Sequence, residues 1–204
     1  MKGKFITFEG SEGCGKSTQS RMLYDFLKRR GRKSIYLREP GGNKISEKIR
    51  DILLDRKNKS MVAVAEMLLY MAARAQVVSQ VIRPALKEGK VVICDRFLDS
   101  TLAYQGYGLG MDISLIKQLG KFSTSGLNPD LTIFLDLPLK KGLRHRRILK
   151  DRIEQRSLSY HRRVLEGYHK LARQEPGRIK IVKVENDKKD TQEKIRALIC
   201  RLKI

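Results

Sequence analysis

The chain has 204 residues, enough for one domain with a substantial core, and its 41% hydrophobic and 32% charged residues match a soluble globular protein. No apolar run approaches bilayer-spanning length, nothing resembles a signal or transit peptide, and the three scattered cysteines argue against a disulfide framework or zinc ribbon, so a cytoplasmic protein is expected. The formal charge of +22 calls for anionic partners, yet the basic residues are spread out, with one dense cluster at Arg144–Arg147 and no nucleic-acid signature; small phosphorylated ligands are expected rather than a specific nucleic acid or a membrane.

Taken in chain order, Phe5–Phe8 predicts a strand that runs directly into Gly10-Ser11-Glu12-Gly13-Cys14-Gly15-Lys16-Ser17. That run fits G-x-x-x-x-G-K-[ST], a loop whose backbone N–H groups surround an anion at a helix N-terminus. Lys16 is expected on the outer phosphates of a nucleotide and the Ser17 hydroxyl on Mg²⁺. Cys14 reads either as a small loop residue or as a thiol activated beside Lys16. The apolar spacing of Met22, Leu23, Phe26 and Leu27 predicts a helix over Lys16–Arg30. A second strand, Ser34–Leu37, ends at Arg38-Glu39-Pro40-Gly41-Gly42, either a rigid turn presenting a guanidinium or a plain turn with a solvated arginine.

Helices are predicted over Ile45–Leu54 and Ser60–Lys87. In the second, Tyr70 and Arg74 are four apart on one face, suited to stacking on a base and meeting its oxygen edge, or to packing and surface charge. The third strand, Val91–Cys94, leads to Asp95-Arg96, an acid that can hold Mg²⁺ through water beside an arginine that can bind phosphate, or a structural ion pair. Ser100, Thr101, Tyr104 and Gln105 follow, and then the glycine-rich break Gly106–Gly110. Helix Ile113–Ser123, strand Leu131–Leu137 and helix Lys140–Leu149 come next. Arg144, Arg146, Arg147 and Arg152 lie there and just beyond, on a segment that can close over phosphates or form a solvated basic face. Helix Ser157–Gln174, strand Ile179–Val184 and helix Thr191–Leu202 complete the chain. His145, His161 and His169 have no spacing that suggests metal or triad chemistry. Alternating strands and helices give an α/β fold with a parallel sheet covered on both faces, and ligands beyond the carboxyl ends of its strands.

The runs F-E-G-S-E-G-C-G-K-S-T-Q, R-E-P-G-G, A-A-R-A-Q, D-R-F-L-D-S-T-L-A-Y-Q-G, P-D-L-T-I-F-L-D-L and D-R-I-E together resemble the thymidylate kinase family over nearly the whole chain. The resemblance implies the P-loop nucleoside-monophosphate-kinase fold with a five-stranded parallel sheet, a single domain over 1–204, and a lid near 141–157. It implies transfer of the γ-phosphate of ATP to dTMP with Mg²⁺, in a homodimer. By position, Gly10, Ser11, Glu12, Gly13, Cys14, Gly15, Lys16, Ser17 and Thr18 would hold ATP, with Ser17 and, through water, Asp95 on the metal. Arg38 and Arg96 would grip the dTMP phosphate. Tyr70 would stack on thymine and Arg74 would bond its O4 edge, while Ser100, Thr101 and Gln105 complete the pocket, the last two reading its polar edge. Tyr104 would crowd a 2′-OH, and Glu12 would lie near the 3′-OH.

Some family members carry a catalytic arginine in the phosphate loop. This chain has Ser11, Glu12, Gly13 and Cys14 there, so the charge is expected from the lid, on Arg147 or Arg152 with Arg144 and Arg146 behind them. Two departures stand out: Asn43 replaces a usual Thr after R-E-P-G-G, and the lid is shorter than usual and lacks its glycine. A kinase for another monophosphate on the same scaffold and a non-catalytic nucleic-acid binder are the alternatives. A GTPase switch lacks support, because Asn43-Lys44-Ile45-Ser46 is not N-K-x-D.

Overall fold

In a computed structural model, which describes residues 3–144 and 151–202, five parallel strands form one sheet in the order β2-β3-β1-β4-β5. The strands are β1 (Lys4–Glu9), β2 (Ser34–Arg38), β3 (Val91–Asp95), β4 (Leu131–Asp136) and β5 (Ile179–Lys183). Strand parity separates the two faces, since successive side chains point to opposite sides. Ile6, Phe8, Val91 and Ile93 turn toward helices α1 (Lys16–Arg29) and α9 (Lys188–Cys200), where they meet Leu23, Leu27, Ile195 and Ile199. Phe5, Val92 and Cys94 turn the other way, onto Val77, Val78 and Ile82. Phe134 on that side packs with Tyr168 and Val164 of α8 (Leu158–Gln174). The expected α/β architecture with helices on both faces is therefore present.

Strands β1, β2 and β3 run one residue beyond their predicted carboxyl ends, and this extension positions the site. Phe8 pairs with Asp95 and Arg38 pairs with Asp95, so Glu9, Arg38 and Asp95 arrive together at one edge of the sheet. The intervening helices are α2 (Lys44–Leu54), α3 (Ala63–Val77), α4 (Arg83–Lys87), α5 (Leu98–Thr101), α6 (Ile113–Ser123) and α7 (Leu139–Arg144). Asn43, the departure from the family pattern, caps α2 by accepting from the Ser46 amide at 2.8 Å.

Three helical expectations change. The helix predicted over Ser60–Lys87 begins at Ala63 and widens into a π-helical turn at Val78–Ile82 before α4. Pro84 has no N–H to return to residue 80, which favours the wider turn. Helix α9 starts at Lys188 instead of Thr191, because Asp187 accepts from the Lys189 amide at 2.8 Å. Residues 98–108 had no helical expectation, yet α5 continues as a π-helix through Leu102–Gly108. The glycines there serve close packing: a Cβ on Gly108 would lie 2.6 Å from the Tyr160 ring of α8. Of the predicted helix Lys140–Leu149, residues 145–149 lie outside the described residues.

Candidate active site

The phosphate loop leaves β1 at Glu9 and enters α1 at Lys16, as its motif requires. Lys16 is 7% exposed, and its Nζ donates to the Ser11 carbonyl at 2.8 Å, so the ammonium is folded back under the loop. Cys14 is buried with its sulfur 3.6 Å from that Nζ, and burial pushes the thiol up, against the pull of Lys16. That environment suits a small filler residue and opposes an activated thiolate. Gly13 has φ +74, and a Cβ there would meet the Gly142 carbonyl of α7 at 2.0 Å. The loop and α7 therefore touch backbone to backbone.

Ser17 Oγ donates to Asp95 Oδ2 at 2.5 Å. A hydroxyl and a carboxylate at the mouth of a phosphate loop are hard oxygen donors, and Mg²⁺ asks for one or two of these besides water and phosphate. The donor set fits that ion.

Facing the loop is a cavity of about 730 Å³, and Arg38, Tyr70, Arg74, Asp95, Arg96, Ser100, Thr101, Tyr104 and Gln105 all border it. So do Glu12, Gly13, Gly15, Lys16, Ser17 and Thr18. Gly10, Ser11 and Cys14 are buried and do not border it.

Carboxylates orient the side chains of this wall. Arg74 is 1% exposed; its Nε donates to Glu39 Oε2 at 2.8 Å and its Nη2 to Thr101 Oγ1 at 3.0 Å and the Phe97 carbonyl at 3.2 Å. Burial raises the Glu39 carboxyl to about 7, against the pull of Arg74. Arg38 Nη2 donates to Glu47 Oε2 at 3.0 Å. Arg96 Nη2 donates to Glu12 Oε1 at 2.6 Å, and the Tyr104 hydroxyl donates to the same oxygen at 2.6 Å. Burial works against ionising Glu12, yet Arg96 and then Lys16 outweigh it and hold the carboxyl down at about 2. Arg96 has φ +72, an uncommon backbone state for a side chain this large, kept in place by these contacts. Beneath it, Glu9 accepts from the Phe97 amide at 2.7 Å, Ser100 Oγ at 2.6 Å and the Tyr168 hydroxyl at 2.9 Å. Burial, reinforced by Asp99, raises Glu9 to about 7.

The lid expectations fare differently. Arg146 and Arg147 lie outside the described residues, and Arg144 is exposed at the end of α7. Arg152 does not border the cavity: its Nη2 lies 2.6 Å from Glu66 Oε2 and its Nε donates to the Leu53 carbonyl at 3.0 Å. Glu66, absent from the expected site, has no exposure and also receives Arg156 and Gln105. A signal for it exists, since Glu66, Tyr70 and Arg74 continue one stripe at spacings of four, and an acid on the inward face of a helix needs partners. Arg50 and Leu54 border the cavity as well, and no sequence motif singled them out; Asp151, which opens the D-R-I-E run but was given no role, borders it too.

A phosphate loop facing an acceptor cavity at the carboxyl edge of a parallel sheet defines the class: an ATP-dependent nucleoside-monophosphate kinase of the P-loop α/β fold. Residues 8–195 match the family model described as thymidylate kinase. A thymidylate kinase of Thermoanaerobacter sp. (strain X514) is 48% identical over 179 residues, 87% of this chain and 88% of the relative. One from Geotalea uraniireducens (strain Rf4) is 46% identical over 205 residues, covering 97% and 96%. The crystal structure of thymidylate kinase from Ehrlichia chaffeensis superposes with a TM-score of 0.82 at 30% identity, covering 98% of this chain and all of that one. The chain belongs to the thymidylate kinase family.

Proposed function

We propose that this chain transfers the γ-phosphate of ATP to dTMP, giving dTDP for dTTP synthesis. The observation that carries the reading is the one cavity bordered by both the phosphate loop and the base- and phosphate-binding side chains. Phosphoryl transfer demands positioning and charge neutralisation more than covalent chemistry. An oxygen of the dTMP phosphate forms the new P–O bond as the bond from the γ-phosphorus to ADP breaks.

In this reading the loop Gly10–Thr18 and Lys16 hold the ATP phosphates. Arg38 and Arg96 hold the dTMP phosphate, with Arg96 already aligned by Glu12 and Tyr104. Tyr70 stacks on thymine, Arg74 donates to O4, and Thr101 and Gln105 meet the remaining polar edge beside Ser100. Tyr104 fills the space of a 2′-OH, and Glu12 accepts from the 3′-OH. Ser17 and, through water, Asp95 would hold Mg²⁺, which supplies charge neutralisation on the phosphates. With no arginine in the loop, the lid over 141–157 supplies the transition-state charge through Arg147, or through Arg152 on release from Glu66. Lid closure also excludes water and so limits ATP hydrolysis.

The working unit in this proposal is a cytoplasmic homodimer. Val64 and Leu68 of α3 and Leu115 and Phe122 of α6 are exposed apolar side chains, the last 85% exposed, on helices that touch through Ser123 Oγ and Met71 Sδ at 3.5 Å. Such a face suits a second copy of the chain. Light scattering should give twice the chain mass for the wild type and a monomer for Leu68→Glu/Phe122→Glu; a wild-type monomer would refute the dimer.

A coupled assay of ADP release over dTMP, dUMP, CMP and AMP tests the function. Strong preference for dTMP is expected, and preference for AMP would overturn the assignment.

A further inference from the structure

The side-chain amide of Gln105 has a donating and an accepting end, and its partner decides which end meets a ligand. Nε2 donates to Glu66 Oε1 at 2.8 Å in a buried contact. The other oxygen of Glu66, Oε2, is held by Arg152 Nη2 at 2.6 Å and Arg156 Nη2 at 2.7 Å. Glu66 itself has no exposure. A carboxylate held by two guanidinium groups offers Gln105 only an acceptor. Turning the amide over would press its carbonyl oxygen against Glu66 Oε1, two acceptors in contact with no water to separate them. Nε2 is thereby committed to Glu66. The carbonyl oxygen accepts none of the described hydrogen bonds, and Gln105 borders the cavity.

Helix register puts the carboxylate where it can act. Glu66, Tyr70 and Arg74 follow one another at single-turn spacing on α3, so the carboxylate that orients the amide sits one turn before the ring proposed to stack on the base. The neighbouring reader has the same kind of support, with Arg74 fixed by Glu39 and bonded to Thr101.

We propose that Glu66 is a positioning residue for base selection. By holding Nε2 it makes Gln105 an acceptor toward the bound base. The site then admits a pyrimidine with a ring N3–H donor, thymine or uracil, and rejects cytosine, whose N3 presents a lone pair to the same oxygen. The inference rests on Gln105 reading the base, as proposed above.

The test is the ratio of dissociation constants for dCMP and dTMP in the full chain. Glu66→Gln gives Gln105 a partner that can donate or accept, so the amide is free to turn over. The ratio should fall roughly ten- to hundredfold, the range for one buried hydrogen bond of the wrong polarity. Glu66→Asp keeps an acceptor-only group and should retain the ratio even where turnover drops. Loss of the arginine contacts or general loosening weakens both nucleotides together, so an unchanged ratio in folded Glu66→Gln overturns the proposal. Gln105→Ala separates the two layers. If it leaves the ratio at the wild-type value, Gln105 does not read the base and the underlying reading fails. If it lowers the ratio while Glu66→Gln does not, only the positioning role fails. Should Glu66→Gln not fold, the wild-type protein carries the test by NMR, with the Gln105 amide assigned against Gln105→Ala. Its Nε2 protons should exchange slowly with and without dTMP, and loss of that protection when dTMP binds overturns the proposal.

Discussion

The two walls of the cavity are built on different principles. The loop wall is one continuous segment, Gly10–Thr18, whose proposed phosphate-binding groups are backbone amides and one lysine whose described contacts lie within the loop itself. The opposite wall is assembled from β2, α3, β3 and the helical stretch 98–108, and each of its main polar side chains is held by a glutamate. Glu47 holds Arg38 across 9 residues of sequence, Glu39 holds Arg74 across 35, Glu66 holds Gln105 across 39, and Glu12 holds Arg96 across 84. A turn of fixed backbone is oriented by the chain itself. Long side chains are not, and a free arginine carries roughly 2 kcal/mol of rotamer entropy that a fixed carboxylate removes before the ligand arrives. The donor wall thus depends on local geometry, and the acceptor wall on distant partners.

The comparison fails if loop and wall variants behave alike. The largest effect is expected for Lys16→Ala, with kcat down on the order of 10³ and the melting temperature near that of the wild type, because no described partner outside the loop loses a contact. Arg74→Ala should raise KM for dTMP by roughly a hundredfold while KM for ATP moves little. It should also lower stability by about 3 kcal/mol, since Glu39 is left buried without its cation. Steady-state kinetics and urea unfolding check both, and equal losses for ATP and dTMP would remove the base-reading role of Arg74.

Glu9 joins the walls, standing at the end of β1 while holding Phe97 and Ser100 of the acceptor side. Its folded carboxyl is raised from 4.5 to about 7. An acid raised on folding binds its proton more tightly in the native state, so stability falls as pH climbs through that window and levels off above it. Glu39 contributes a slope of the same sign. Between pH 5 and pH 7.5 the wild type should therefore lose on the order of 2 kcal/mol more than Glu9→Gln, read by urea unfolding at the two pH values. Equal losses would show that Glu9 ionises without cost.

The same contrast explains what was legible beforehand. Short apolar strands between helical periodicities were enough for the α/β fold, because a parallel sheet buried on both faces writes its strands as apolar runs. The loop was legible from eight consecutive residues. Tyr70, Arg74, Thr101 and Gln105 were legible only as a combined pattern, and all of them border the cavity. Their supports were not, since pairings such as Glu12 with Arg96 exist only after the chain has folded. Glu66 could have been noticed as an inward acid one turn before Tyr70. The helix at 98–108 was hidden by glycines that serve packing, Gly106 against α6 and Gly108 against α8, and Arg152, expected at the phosphates, found the nearer carboxylate of Glu66.

Gly142 sharpens the comparison most finely, because there the local wall meets a distant element. A Cβ at 142 would stand 2.5 Å from the Glu12 carbonyl oxygen, and the backbone there cannot yield without moving the loop. Glu12 is also the residue whose carboxylate aligns Arg96 and Tyr104 on the acceptor side. Pressure from Gly142→Ala is therefore delivered to both walls through one residue. We expect KM for ATP and for dTMP to rise together, each about three- to tenfold, with a modest fall in melting temperature. That pattern differs from Arg74→Ala, which separates the two substrates. If only KM for ATP rises, the loop yields without carrying Glu12 along, and the walls are more independent than the Glu12–Arg96 contact implies. If both rise in parallel, Glu12 is the mechanical link between donor and acceptor, and α7, which leads into the proposed lid, bears on that link directly.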